Sequence, residues 1–190
     1  MVAALGESTG SFMLSRMRDR MLLDSTGRKI LQLQPIINTS TLPDNLSTLP
    51  PGTFGHEYLA FCTTHNVSAD TRTPIKYISD PELAYVMTRY RQVHDFWHTL
   101  LGLGITVQDE LAIKWFEMVQ TGLPVAALSS FVGPARLSKA ERDILFDVYV
   151  PWAVQTGARA KFLMNIMYEE EFERPLEDVR KDIGVWPAPI

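Results

Sequence analysis

Two of the chain's four histidines stand four residues apart, His94 and His98, in the stretch HDFWHTLLGLGITVQDE (94–110), with Asp95 beside the first and Glu110 closing the stretch. On a helix turning about 100° per residue the two imidazoles lie about 40° apart, one above the other, with Asp95 to one side. Both continue an apolar stripe of Leu83, Met87, Tyr90 and Leu101, which points them inward. Burying imidazoles and a carboxylate is unfavourable unless they are paired or bind a cation. In one unbroken helix, at about 1.5 Å per residue, Glu110 would lie roughly 18 Å beyond His98. The LGLG turn (101–104) reverses the chain instead and lets the next helix present Glu110 back toward the pair.

His94, Asp95, His98 and Glu110 thus form a donor set for Zn, with Fe, Mn or Co compatible by ligand type. The metalloprotease pattern H-E-x-x-H places a general-base Glu where this chain has Asp95, so peptidase chemistry fits poorly, and a metal-dependent hydrolase rests on the spacing alone. The same residues also suit packed core histidines, with Asp95 as hydrogen-bond partner and Glu110 as a favourable charge at a helix N-terminus. Spacing alone leaves both readings open.

The elements that must carry these residues are helices. Period-two alternation is scarce, and apolar residues recur at i, i+3, i+4 and i+7 between Pro, Gly and Ser. The pattern predicts an all-α, compact multi-helix domain spanning 1–190, with a helical hairpin carrying the site. Its first helix is expected over 11–24, with Phe12, Met13, Met17 and Met21 on one face. A proline-rich connector with a short helical turn (35–55), a short helix (56–65) and a second connector (69–80) follow. The clearest helix, about 81–101, has Ser79 or Asp80 as cap, Pro81 in its first turn and Gly102 at its end. A second, capped by Thr106 and stopped by Gly122 and Pro124, completes the hairpin. Beyond it come an apolar patch (124–133), one or two long helices over 138–172 interrupted near Pro151, and a closing helical segment, PLEDVRKDIG.

With 190 residues, 46% hydrophobic and 21% charged, the chain is long enough to bury a core unaided and has the composition of a globular protein. Its net charge of -4, with no dense Lys/Arg cluster, argues against nucleic acid as a partner. The lone Cys62 points to a reducing compartment. No apolar run approaches the roughly 20 residues of a membrane span. The opening MVAALGEST is apolar and helix-like from its first residue, as if a targeting segment had stood upstream.

The spacing H-D-x-x-H with Glu110 after eleven further residues resembles the signature of the coenzyme Q biosynthesis protein 4 family. MVAALGESTG, ELAYVMTRYRQVHD, KWFEMVQTGLP, GPARL and VPWAVQTGARA are similar to that family in the same order, so the resemblance spans essentially the whole chain. It implies an all-helical mitochondrial protein, held peripherally on the matrix side of the inner membrane, with zinc bound by His94, Asp95, His98 and Glu110. It further implies a role in ubiquinone biosynthesis: oxidative decarboxylation of a polyprenylated 4-hydroxybenzoate, replacing the C1 carboxylate with a hydroxyl. The alternative it carries is a lipid-binding scaffold that organises the other enzymes of the pathway around a structural metal. The family's targeting peptide and leading helix are missing from this sequence.

Arg89, Arg91 and Lys114 on the hairpin helices are candidates to attract an aromatic carboxylate, or are solvated charges. Trp97 and Trp115 suit a ring, a polyprenyl tail or the core. GLPVAALSSFVG (122–133) is apolar enough to meet a membrane and too short to cross one, and it suits a buried helix equally.

Overall fold

The structure, a computed structural model, describes residues 10–71 and 74–189. The opening nine residues, expected to be helix-like, lie outside the described residues. Among the described residues the protein is all helical: α1 (Ser11–Leu22), α2 (Ser25–Leu33), α3 (Phe54–His65), α4 (Pro81–Leu101), α5 (Val107–Thr121), α6 (Pro124–Val132), α7 (Lys139–Ile144), α8 (Val150–Arg159) and α9 (Leu176–Ile183). A π turn, Leu145–Tyr149, joins α7 to α8, and an isolated antiparallel bridge ties Thr53 to Pro175.

The helix that carries the histidines, α4, begins and ends where its sequence dictates. Asp80 accepts from the backbone N–H groups of Glu82 and Leu83 at 2.9 and 3.0 Å, Pro81 occupies the first turn, and Gly102 ends the helix at φ +67°, a conformation that favours glycine. The stripe is buried as expected, but Val86, Val93, Phe96, Trp97 and Leu100 are buried too. A helix covered on every side is a core helix. Phe54 and Tyr58 from α3 pack edge-on against Phe96, the latter at 4.5 Å, and Tyr168 accepts a hydrogen bond from Trp97 Nε1 at 3.0 Å. At its C-terminal end the carbonyls that lack helical partners are taken up by Arg180, which donates to Leu100 and Thr99, and by the Ala188 N–H, which donates to Leu101. That end, just past His98, is therefore held from outside the helix.

Thr106 and Asp109 form a reciprocal capping box that starts α5. This helix packs chiefly on α6 and α8 and meets α4 through Trp97 edge-on to Phe116 and through polar side chains, so the expected hairpin is looser than two helices packed along their length.

Three expectations need correction. Helix 11–24 ends at Leu22, and Asp24 caps a separate α2 by accepting from Thr26 and Gly27. Phe12 is 69% exposed while Leu14, Met17 and Met21 are buried, because Phe12 lies about 140° around the helix from Met17. Over 138–172 the helical stretch ends at Arg159 and gives way to short 3-10 turns that carry Leu163 and Tyr168 into the core. Pro151 falls at the start of α8, and the π turn lies where its ring would strike the carbonyl of Asp147 in a regular helix.

Candidate metal centre

His94 and His98, one turn apart on α4, are both buried. The Nδ1 of His94 lies 2.6 Å from Glu117 Oε1, and the Nδ1 of His98 lies 3.3 Å from the Leu103 carbonyl in the reversing turn. A carbonyl can only accept. So can the Glu117 carboxylate: burial pushes its pKa up, but the Lys114 ammonium and His94 together hold it below the usual carboxylate range. In its neutral form each imidazole therefore carries its proton on Nδ1 and offers the lone pair of Nε2.

The two Nε2 atoms are 3.1 Å apart, and Glu110 reaches in from the first turn of α5 with carboxylate oxygens 3.5 Å from His98 Nε2 and 3.8 Å from His94 Nε2. Donors bound to one zinc at about 2.05 Å in tetrahedral directions stand about 3.3 Å from each other, so the set has the separations of a metal site. One donor atom from each of His94, His98 and Glu110 lies within 4.8 Å of the others, the one such group among the described residues.

Asp95, expected as a fourth ligand, is buried beside the pair but has no donor atom in that group. It points about 100° around α4 from His94 and about 60° from His98, and its side chain is short. Its charge still acts on His98, opposing in part the burial and the His94 neighbour that push the imidazolium pKa down to about 4.

Glu110 also lines a cavity of about 530 Å³ between α5, α6 and the start of the following turn, walled by Val107, Leu111, Leu128 and Val132, with Lys114 and Arg136 on its sides. The ligand set thus meets an apolar groove through Glu110, while His98 lines a separate cavity of about 330 Å³ with Phe61, His65 and Leu103.

Of the supporting candidates, Lys114 is at the site, 2.6 Å from Glu117. Arg89 is fully buried and committed to Glu169 and the Ile166 carbonyl, while Arg91 is half-buried on α4. Trp97 is a core residue. Trp115 packs edge-on against Phe131 at 5.0 Å and Phe146 at 6.5 Å. The 122–133 segment is not a covered core helix: Phe131 is 68% and Val132 60% exposed.

Sequence reasoning missed Glu117, Tyr90 as its hydrogen-bond donor, and Arg136. A signal existed for the first: Glu110, Lys114 and Glu117 recur at i, i+4 and i+7, a charged stripe on the face of α5 turned toward the histidines.

The family model of coenzyme Q (ubiquinone) biosynthesis protein Coq4 matches residues 1–189. The mitochondrial ubiquinone biosynthesis protein COQ4 homologues of Rattus norvegicus and Homo sapiens are each 47% identical to this chain, over all of it and 72% of their own length. That of Nematostella vectensis is 46% identical over 99% of the chain and 92% of its own length. The crystal structure of a Nostoc punctiforme protein shares the fold at a TM-score of 0.70, with 18% identity, over 90% of this chain and 81% of that one.

Proposed function

The chain belongs to the coenzyme Q (ubiquinone) biosynthesis protein Coq4 family, and on that premise we propose that it is a metal-dependent enzyme of ubiquinone biosynthesis that decarboxylates and hydroxylates C1 of a polyprenylated 4-hydroxybenzoate. The observation that carries this reading is the three-donor set of His94, His98 and Glu110, whose Glu110 also lines an apolar groove with cations on its wall. Three protein ligands with one open side are the pattern of catalytic rather than structural zinc.

His94, His98 and Glu110 would hold the ion, and Asp95 would stabilise the site through its charge. A divalent ion held there would supply positive charge that favours an anionic carboxylate or phenolate. Lys114 and Arg136 draw the anionic ring to the Glu110 end of the groove, while Val107, Leu111, Leu128 and Val132 take the tail and exclude water. Replacing the carboxylate by a hydroxyl is a two-electron oxidation. Zinc changes no redox state, so the oxidant would be dioxygen, bonding to C1 of the electron-rich phenolate as the C1–carboxylate bond breaks and CO2 leaves, with a two-electron reductant such as a thiol then cleaving the resulting hydroperoxide to the hydroxyl and water.

The tail must be drawn from a bilayer. No described helix is long and apolar enough to cross a membrane. The exposed Leu128, Phe131 and Val132 at the groove, continued through Trp115 to the exposed Phe146, form a face suited to lie on one. Together with the mitochondrial relatives this supports a peripheral position on the matrix side of the inner membrane. A second reading, an organiser of the other pathway enzymes, draws on a different surface, the exposed Phe12, Leu23 and Leu33 of α1 and α2.

X-ray absorption at the zinc edge separates the two. Adding a short-tailed prenylated 4-hydroxybenzoate to zinc-loaded protein should change the oxygen shell if the site is open to substrate. An unchanged edge at saturating ligand would count against an enzyme.

A further inference from the structure

Glu117 lies outside the H-D-x-x-H signature, yet its side chain is fully buried and its two oxygens serve different masters. Oε1 accepts from His94 Nδ1 at 2.6 Å; Oε2 accepts from Tyr90 Oη at 2.7 Å and from Lys114 Nζ at 2.6 Å. One carboxylate therefore joins a candidate metal ligand on α4 to a cation on the wall of the groove.

We propose that Glu117 is the positioning residue of this site, fixing His94 in the Nδ1–H tautomer that offers Nε2 to the ion and holding Lys114 where it meets an anionic substrate. The proposal rests on the metal reading above. Three arguments support it. An imidazole left free would rotate about its ring bond and share its proton between both nitrogens, whereas a buried carboxylate at 2.6 Å selects one. A negative charge on the far nitrogen raises the basicity of the coordinating one. Finally, Glu110, Lys114 and Glu117 occupy successive turns of α5, so one helix face delivers a ligand, a substrate cation and the residue that orders both.

The test compares Glu117→Gln with wild type, using cobalt(II) as a probe with visible absorption. Glutamine keeps the volume and can still accept from His94 through its amide oxygen, but it is neutral and turns an N–H2 toward Lys114. The metal-free variant is expected to keep its helical circular dichroism, bind cobalt about 10–100-fold more weakly, and shift the cobalt bands. Lys114→Met should leave the cobalt bands in place while raising KM for substrate. Should Glu117→Gln not fold, nitrogen-15 histidine spectra of metal-free wild type decide instead, with His94 protonated on Nδ1. Unchanged cobalt affinity and bands in Glu117→Gln, or an Nε2-protonated His94, would overturn the proposal alone. A wild-type protein that takes up no cobalt would overturn the metal reading and the proposal with it.

Discussion

His94 and His98 face each other through Nε2 atoms 3.1 Å apart, with an acceptor on the Nδ1 side of each ring. With both rings neutral and protonated on Nδ1, two lone pairs turn on each other and repel unless a cation, either a shared proton or a metal ion, lies between them. A metal ion relieves that repulsion with both rings neutral, whereas the packed-histidine reading, which spacing left open, relieves it by charging one of them.

The pH dependence of the metal-free protein follows from the same pair. Burial first, and His94 second, lower the His98 pKa from 6.5 to about 4 in the fold. The unfolded chain then binds more protons between those values, so the stability that His98 contributes as a neutral ring is complete above its unfolded pKa and is lost as the pH falls toward its folded one. Calorimetry from pH 7 to about pH 4 should show Tm falling across that window, with a shallower fall in His98→Gln. Equal slopes would mean that other groups set the acid transition.

Glu110 is the ligand whose removal tests the site without disturbing the core. Its side chain is 40% exposed, so Glu110→Ala should change the unfolding free energy of the metal-free protein by no more than about 0.5 kcal/mol. Zinc affinity should fall clearly in a competition titration. Loss of folding on this substitution would make the metal structural.

Arg89 looked like a candidate for a substrate carboxylate, and the structure gives it other work. Fully buried and paired with Glu169, it ties α4 to the turn at Tyr168–Glu170. Arg89→Met should cost about 1–2 kcal/mol in urea unfolding, because the Ile166 carbonyl and the partly exposed Glu169 carboxylate lose their donor. Substrate KM in the folded fraction should stay at the wild-type value, whereas a raised KM would return Arg89 to the site.

The exposed face of α6 yields a prediction about lipid. Phe131→Asp should weaken sedimentation with vesicles containing anionic lipid and leave the helical circular dichroism intact, because a charge on an apolar docking face is poorly accommodated in the bilayer interface. Undiminished vesicle binding would place the membrane contact elsewhere.

Much of this site was legible in the sequence because caps and periodicity are local. Asp80, Pro81 and Gly102 bounded α4, Thr106 started α5, and the turn between them returned Glu110 to the histidines. What escaped reading depended on tertiary neighbours. Glu117 reads as an ordinary solvated charge until α4 covers it, and Arg136 joins the groove only through the packing of α6 on α5. Asp95 shows the converse limit: adjacency in sequence put it in the motif, while the helical rotation of one residue turned it from the point where the other three donors meet. The break at Asp24 was missed because the apolar period runs on while a cap interrupts it.

The measurement that bears most directly on the central claim is turnover of metal-loaded protein with a carboxyl-labelled, short-tailed prenylated 4-hydroxybenzoate and a thiol reductant under oxygen-18 gas. Release of labelled CO2 with one oxygen-18 atom in the C1 hydroxyl, absent without oxygen and absent in His98→Ala, is the expected result. Stoichiometric metal in the wild-type protein with no CO2 released in either atmosphere would contradict an enzyme at this site.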